Sequence, residues 1–174
     1  MSTITALQLS NLTVFQNMSP KEIEVLALAL RERKLAASQE LYRQGERGAT
    51  CHIILQGALS IQLDAGNGTP REVGLALPGD LLGEVALLDG GPRSATVCAG
   101  SEGATVGELS KADFDQVFGA GSPFAFKLMD LVAGRMVGRM REAMGRLVTA
   151  VTAEDEGRSG GAGSGSGADE AKSP

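Results

Sequence analysis

The sequence predicts a mainly β domain with flanking helices, an α+β arrangement. Between residues 34 and 109, short apolar runs with a period near two alternate with clusters of Gly, Pro and Asn. The composition points the same way, because Gly occurs 24 times in 174 residues and aromatic residues make up only 3%. We therefore expect one domain with an aliphatic core and many tight turns.

Seven short runs are predicted to be strands, because turn residues separate them. They cover residues 34–36, 40–43, 51–55, 58–63, 71–77, 93–99 and 104–109. The clearest connection is the hairpin at 65–68, since Asn and Gly tolerate the positive φ that tight hairpin turns need. Seven or eight strands at this spacing are typical of a β sandwich or barrel.

Helices are predicted on both sides of these strands. Ser19 stands before Pro20, and Glu22 completes a capping box, so a helix is expected from about 20 to 31. Ser110 and Asp113 form a second box that starts another helix. Residues 1–12 are assigned to an N-terminal arm, in which a short helix and an extended segment both stay open.

The longest periodic segment runs from about Pro123 to Thr152. Its apolar residues recur at alternating intervals of four and three, which predicts a helix with one face against the β domain and another against a partner helix. We expect a homodimer through residues 123–152. The main domain is then 13–152, and the Gly/Ser-rich stretch 153–174 is expected to be a disordered tail.

Charge and composition exclude several function classes. A net charge of −5 argues against a nucleic-acid partner, since such binding relies on clustered Lys and Arg. The sequence has no long apolar stretch and no export signal, so we expect a cytoplasmic protein without a membrane partner. The single histidine, His52, lies in an apolar run, so neither a metal site nor a catalytic set is predicted. The protein is not expected to be an enzyme.

The segment 77–98 carries the candidate site. Gly83 allows close backbone approach and opens a short helical turn whose first N–H groups suit phosphate oxygens. Glu84 is a carboxylate in an apolar run and needs a donor, such as a sugar hydroxyl. Arg93 brings a guanidinium to the same phosphate, and Ser94 adds a donor. This pattern predicts a small anionic ligand with a hydroxyl; the alternative is that Glu84 and Arg93 pair with each other.

The stretch GEVALLDGGPRSATV resembles the phosphate-binding cassette of cyclic nucleotide-binding domains, the family of the catabolite activator proteins and the regulatory subunits of protein kinase A. The resemblance covers most of residues 12–145, including LYRQGE, HIILQGALSIQ and LPGDLLGE. It implies an eight-stranded, jelly-roll-like β roll (a double-stranded β-helix) with an N-terminal helix and a long C-terminal helix. The nucleotide is then expected in a pocket under the last helix.

The resemblance also assigns roles. It implies that Arg93 holds the cyclic phosphate, that Ser94 bonds the phosphate or the base, and that Glu84 accepts from the ribose 2′-hydroxyl. One arginine of the last helix is expected at the base, with Arg135, Arg139 and Arg141 as candidates. Arg139 is favoured, and the alternative is that it is solvated or pairs with Glu142. The predicted ligand-binding residues are Gly83, Glu84, Val85, Ala86, Arg93, Ser94 and Arg139.

The predicted function is that of a cytosolic receptor or regulatory module for a cyclic nucleotide, with no cofactor and with an unidentified partner protein. Both cAMP and cGMP remain open as the ligand, because a hydroxyl at Ser94 serves either. No helix-turn-helix follows the long helix in this sequence, so a complete transcription factor is not expected. The alternative is a scaffold or assembly protein of the same fold, whose ligand is lost or is a cyclic dinucleotide.

Overall fold

The computed structural model describes residues 4–119 and 123–159. The chain divides into two compact units, Met1–Met136 and Val137–Pro174. The strands are β1 (Arg31–Leu35), β2 (Glu40–Tyr42), β3 (Thr50–Leu63), β4 (Arg71–Ala76), β5 (Leu81–Leu82) and β6 (Thr96–Ser110). The helices are α1 (Ala6–Ser10), a 3₁₀ turn (Thr13–Phe15), α2 (Pro20–Ala29), α3 (Glu84–Asp89), α4 (Lys111–Gly119) and α5 (Pro123–Ser159).

The strands form one six-stranded sheet in which every pairing is antiparallel. The order is β1-β6-β3-β4, with β2 also on β6 and β5 also on β3. The long β3 and β6 pair along most of their length, from Thr50 opposite Ser110 to Gln62 opposite Thr96. Because α3 lies between β5 and β6 in the chain, the cassette is fixed to this central pair at both ends.

The mainly β class with flanking helices is confirmed. The strand count differs slightly, because the described part of the chain has six strands and two of them, β3 and β6, each span two of the predicted runs. The glycines at 57 and 100–103 were interpreted as turns between strands. In the structure, Gly57 and Gly103 adopt φ values of 81° and 74° inside β3 and β6, with register shifts beside Gly57. Glycine within a strand marks a bulge or bend, so the chain bends there without ending the strand.

The helix starts follow the predicted capping boxes. Ser19 N–H donates to Glu22 Oε2 at 2.7 Å, and Asp113 N–H donates to Ser110 Oγ at 3.1 Å. The predicted end of the first box's helix, at 31, is too late: α2 ends at Ala29 and Leu30 is extended, with φ −90° and ψ 140°. The reason is tertiary, because Arg31 already pairs with Glu108 of β6.

Of the two possibilities for the N-terminal residues, the helix is observed. Thr5 caps α1 through a capping box with Gln8. Ile4, Leu9 and Leu12 are buried and belong to the same core cluster as α2 and the start of α5. The N-terminal arm is therefore part of the folded first unit.

Two apolar clusters hold the first unit together. The first lies among the helices and one end of the roll, and includes Phe15, Leu26 and Val132 of α5. The second fills the roll between strands, and includes Ile54, Leu59 and Val106, all fully buried. Burial of this aliphatic surface is the main stabilising contribution, at about 25 cal/mol per Å².

The long helix extends further than predicted: α5 continues to Ser159, whereas the predicted end is about Thr152. The tail was expected to start at 153, yet residues 153–159 are helical; Ala and Glu at 153, 154 and 156 favour a helix. The rest of the predicted tail, 160–174, lies outside the described residues. In the part of the chain that the structure covers, no helix is long and apolar enough to cross a membrane.

Candidate functional site

The cassette begins with a glycine that no other residue replaces without strain. Gly83 is the N-cap of α3 and has a φ of 79°, in the left-handed region. A Cβ at this position would lie 2.1 Å from Arg93 Nη1 and 3.0 Å from the carbonyl oxygen of Thr50. The predicted close backbone approach at Gly83 is therefore present, and it is an approach to the arginine of the same cassette.

Arg93 is the centre of the site. Only 6% of the residue is exposed, and its Nη1 donates to the carbonyl oxygen of Thr50 at 2.7 Å and to that of Gly83 at 3.3 Å. Its Nη2 donates to Thr50 Oγ1 at 2.7 Å. The guanidinium carbon lies 4.1 Å from the centre of the Tyr42 ring, a cation–π contact.

The backbone of Arg93 is anchored as firmly as its side chain. Its N–H donates to the carbonyl oxygen of Glu46 at 2.7 Å, and its carbonyl oxygen accepts from Gly45 N–H at 2.9 Å. Next to this pair, Gly48 N–H donates to Gly91 at 3.3 Å, and Arg47 and Pro92 form a bridge. The loop before β3 therefore fixes the turn that presents Arg93.

The other predicted cassette residues differ in exposure. Glu84 and Ala86 are buried, each 2% exposed, whereas Val85 is 40% exposed and Ser94 is exposed. The alternation follows from the short helix, whose one side packs on the roll while the other faces solvent. Val85 and Ser94 thus lie on the accessible side of the cassette, and the Glu84 carboxylate lies beneath it.

The guanidinium of Arg93 is not held by a simple ion pair with Glu84, which was the alternative interpretation. Within the described residues, the hydrogen-bond acceptors of the Arg93 side chain are two carbonyl oxygens and one hydroxyl, all neutral. Both charges are nevertheless close to the buried Cys51. Burial and the nearby Glu84 raise the pKa of this thiol to about 12, against the opposing effect of Arg93.

Three residues of the site were missed by the sequence analysis: Thr50, Tyr42 and Gly48. Thr50 and Tyr42 contact the guanidinium, and Gly48 leaves the space in which it lies. All are distant from the cassette in sequence and come from the loop and strands that pair across the roll. The only signal was the Gly-Glu-Arg-Gly-Ala-Thr stretch before β3, and its pattern indicates a loop rather than a contact.

A second polar group lies buried beside Tyr42. The His52 ring is 1% exposed, 5.8 Å from the Tyr42 ring, and its Nε2 is 3.2 Å from Glu108 Oε2. Its Nδ1 has no hydrogen-bond partner in the described structure. Burial lowers the pKa of His52, against the opposing effect of Glu108, so the ring is neutral at pH 7. This matches a packing role in the roll.

The first part of α5 is tied to the turn that leads into the cassette. Arg135 Nη1 donates to Asp80 Oδ1 at 2.8 Å, and its Nη2 donates to the Gly79 carbonyl oxygen at 3.1 Å. The other Asp80 oxygen accepts from Leu77 N–H at 2.9 Å, which closes the turn before β5. Asp80 is therefore shared between α5 and the approach to Gly83.

Arg139 belongs to the second unit, and its contact with a ligand stays a prediction. No cluster of three or more metal-binding side chains occurs in the described ranges. An open cleft of about 520 Å³ lies at the N-terminal helices, among residues such as Leu7, Phe15 and Ile23. None of its lining residues belongs to the cassette.

The chain is similar to known cyclic nucleotide-binding proteins. A profile of the cyclic nucleotide-binding domain matches residues 32–120, just over half of the chain. A cyclic nucleotide-gated potassium channel of Mesorhizobium japonicum is 37% identical over 106 residues, which cover 60% of this chain and 27% of the channel. A cyclic AMP receptor protein of Thermus thermophilus is 32% identical over 87 residues, covering 49% and 40%. The chain thus spans less than half the length of either relative.

Solved structures share the fold. A cyclic nucleotide-binding domain of Methylobacillus flagellatus superposes with a TM-score of 0.73 at 21% identity, covering 83% of this chain and 81% of that one. The catabolite activator protein of Thermus thermophilus gives 0.64 at 25% identity, covering 79% and 62%. Together with the matched profile and the buried cassette arginine, this fold shows that the chain belongs to the cyclic nucleotide-binding domain family.

Proposed function

We propose that this chain is a regulatory module that binds cAMP or cGMP and acts without catalysis on a partner protein. The observation that carries the proposal is the buried Arg93 guanidinium, whose direct partners are all neutral. A buried charge without an opposite charge is unfavourable, and a hydrogen-bonded anion offsets that cost. A cyclic phosphate supplies such an anion in a form that a guanidinium binds through two parallel hydrogen bonds.

The remaining cassette residues fit a ribose phosphate. The buried Glu84 carboxylate accepts a hydrogen bond from a ribose 2′-hydroxyl, and the exposed Ser94 hydroxyl donates to the phosphate or bonds the base. The backbone from Gly83 to Ala86 completes the cradle. Since Ser94 suits either base, both cAMP and cGMP are candidates.

Titration calorimetry with each nucleotide tests the proposal. Arg93→Ala is expected to weaken binding about 30-fold or more, because truncating one partner of a buried charged contact costs on the order of 2–5 kcal/mol. The matched control is Arg71→Ala, which removes an exposed arginine at the start of β4. Thermal unfolding of both variants shows whether the fold is kept. If the wild type gives no heat with either nucleotide at millimolar concentration, the proposal is wrong.

The ion pair of Arg135 and Asp80 could transmit ligand binding from the cassette to α5. Asp80 holds the turn before the cassette and also binds α5 through Arg135. A ligand that shifts Gly83 and Glu84 thereby changes the environment of this ion pair. Such a shift influences a partner only if the partner has different affinities for the two states. Hydrogen exchange at residues 77–89 and 123–136, with and without nucleotide, tests whether the two segments respond together.

We also propose that the chain forms a homodimer through α5. Within the second unit, five large apolar side chains of this helix are 43–63% exposed, and each lies three or four residues from another of the set. They are Val137, Met140, Met144, Leu147 and Val148. Exposed apolar rows of this kind mark interaction surfaces, since burying each side chain is favourable by about 1.5–3 kcal/mol.

Sedimentation velocity tests this dimer. Met140→Glu is expected to shift the protein towards the monomer, because it places a charge in the apolar row. Thr149→Glu is the matched control, since residue 149 is exposed and lies on the opposite side of the helix. Equal sedimentation of both variants and the wild type would exclude this surface. Sedimentation of the wild type with and without nucleotide also tests the alternative function of a scaffold or assembly protein. That alternative requires self-association that nucleotide does not change.

The role of Arg139 at the base is a separate proposal. Arg139→Ala is expected to weaken the binding of both nucleotides less than Arg93→Ala does, because a contact to a neutral base lacks the charge of the phosphate. Arg146→Ala, a few turns on in the same helix, is the control. Unchanged affinity of Arg139→Ala would remove this residue from the predicted ligand-binding set.

A further inference from the structure

The contacts of Arg93 divide its hydrogen-bond donors into two groups. A guanidinium has five N–H groups in a fixed planar fork. Three of them are used within the protein: both on Nη1, towards Thr50 and Gly83, and one on Nη2, towards Thr50 Oγ1. In the described residues, no hydrogen bond joins Nε–H or the second Nη2–H to the protein.

These two remaining donors lie on the same side of the planar group. Nη2 is the nitrogen on the side of Nε–H, so the two N–H bonds are parallel and form one edge of the fork. This is the geometry that binds two oxygens of one phosphate or carboxylate. The contacts with Thr50 therefore use the end of the guanidinium and leave its Nε edge available.

The surroundings of the guanidinium restrict its orientation. The Tyr42 ring lies 4.1 Å from the guanidinium carbon. On Gly48, the absent Cβ would lie 2.6 Å from Nε and 2.7 Å from the guanidinium carbon. A glycine at 48 thus lets the guanidinium lie directly against the backbone, where any larger residue would displace it.

We propose that Thr50 is a positioning residue for ligand binding: its hydroxyl and carbonyl oxygens hold the Arg93 guanidinium so that the Nε edge faces the phosphate. The proposal rests on the proposed function, because the phosphate it orients towards is that of the cyclic nucleotide. Thr50 itself makes no contact with the ligand in this scheme. Its effect is to fix the orientation of Arg93 before binding, which lowers the entropy lost when the ligand arrives.

The count of donors decides the direction of the effect. If Thr50 competed with the phosphate for the same N–H groups, removing its hydroxyl would strengthen binding. Because the Thr50 contacts and the available edge use different N–H groups, removing the hydroxyl leaves one Nη2 N–H without its partner, and only the Nη1 contacts and the Tyr42 ring then hold the guanidinium. Binding is then expected to weaken about tenfold to a hundredfold, the usual effect of one hydrogen bond to a charged group.

The test compares Thr50→Val, which removes the hydroxyl at nearly constant shape, with Thr50→Ser, which keeps it. Titration calorimetry with cAMP and cGMP is expected to show the loss for Thr50→Val and near wild-type affinity for Thr50→Ser. Thr50→Ala provides a second hydroxyl-free variant if Val disturbs the strand. Thermal unfolding identifies any variant that binds weakly only because it is partly unfolded.

A second readout needs no ligand and separates this proposal from the proposed function. In ¹H–¹⁵N spectra of the ligand-free protein, hindered rotation of a held guanidinium gives separate Nη signals, which Arg93→Lys assigns by their loss. Thr50→Val is expected to average these signals and Thr50→Ser to keep them. If the wild type binds nucleotide but Thr50→Val binds equally or more tightly, the positioning role is overturned while the proposed function stands. If the wild type binds neither nucleotide, the proposed function fails, and unchanged Arg93 signals in Thr50→Val overturn the positioning as well.

Discussion

Substituting Gly48 with alanine perturbs the site without replacing a predicted ligand-binding residue. Gly48 is buried between β2 and β3, and its φ is outside the left-handed region, so the backbone accepts alanine. The added Cβ, however, would lie 2.6 Å from Arg93 Nε and 2.7 Å from the Cβ of Ala86. Carbon atoms in contact normally lie about 3.5–4.0 Å apart, so one neighbour must move by roughly 1 Å.

Neither neighbour moves easily. Arg93 is held by three hydrogen bonds and by the Tyr42 ring, and the Cβ of Ala86 moves only with the backbone of α3. Adding a methyl group to a well-packed interior costs about 1–3 kcal/mol. For a chain of this size, that lowers the melting temperature by roughly 2–10 °C. Displacement of Arg93 or α3 is also expected to weaken nucleotide binding about tenfold or more.

Thermal unfolding and titration calorimetry measure the two effects, with Gly74→Ala as the control. Gly74 lies in β4, has nothing within 4 Å of an added Cβ, and has no left-handed φ. This variant is expected to keep its affinity and to unfold at the same or a slightly higher temperature. If Gly48→Ala matches Gly74→Ala in both measurements, the close packing around Arg93 is not what the distances indicate.

Three further predictions concern pH and the first part of α5. Burial lowers the pKa of His52, so as the pH falls below 6.5 the unfolded chain takes up a proton before the folded chain does, and the free energy of unfolding decreases. Urea unfolding at pH 7.5 and 5.5 is expected to show this loss in the wild type. His52→Phe is expected to reduce the loss. Hydrogen bonds from Lys127 and Ser19 lower the pKa of Glu22 from 4.5 to about 2. The stability that the Glu22 carboxylate contributes is therefore present above pH 4.5 and is lost as the pH falls towards 2. Glu22→Gln is expected to flatten the acid unfolding curve in this range, and an unchanged curve would contradict the contribution of Glu22. A double-mutant cycle of Arg135→Ala and Asp80→Ala is expected to give a coupling of about 0.5–1 kcal/mol, because both side chains are partly exposed, and zero coupling would remove the ion pair from the proposed route.

Local patterns predicted the features whose partners are close in sequence. The capping box at Ser19 joins residues three apart, and both of its bonds are present. At Ser110, Asp113 N–H donates to Ser110 Oγ as predicted, and the Ser110 hydroxyl donates to the Asp113 carboxylate. The hairpin at 65–68 was predicted for the same reason, and there the Asp64 carboxylate accepts N–H bonds from residues 66, 67 and 68. Hydrogen bonds of this range depend on a few adjacent residue types, which can be identified from the sequence alone.

Predictions failed where distant pairing overrides local chemistry. Gly57 has the residue type of a turn, yet it continues β3 because the partner strand β6 bends beside it; a Cβ on Gly57 would lie 2.4 Å from the Gly103 carbonyl oxygen. Arg31 fits the end of a helix, yet it pairs with β6. In both cases the deciding contact lies more than 40 residues away, and no local pattern encodes it.

The cassette combines features that the local sequence predicts with features that depend on distant strand pairing. Its sequence by itself indicated that Gly83, a carboxylate and an arginine belong to one site, because a short helix and a tight turn connect them. The left-handed φ of Gly83 is seen only in the structure. Only the tertiary structure decided how the arginine is held. Thr50 and Tyr42 reach Arg93 through strand pairing across the roll, and these contacts determine which edge of the guanidinium remains available. Composition and spacing specify which chemical groups are present, whereas their orientation depends on neighbours that the fold brings together.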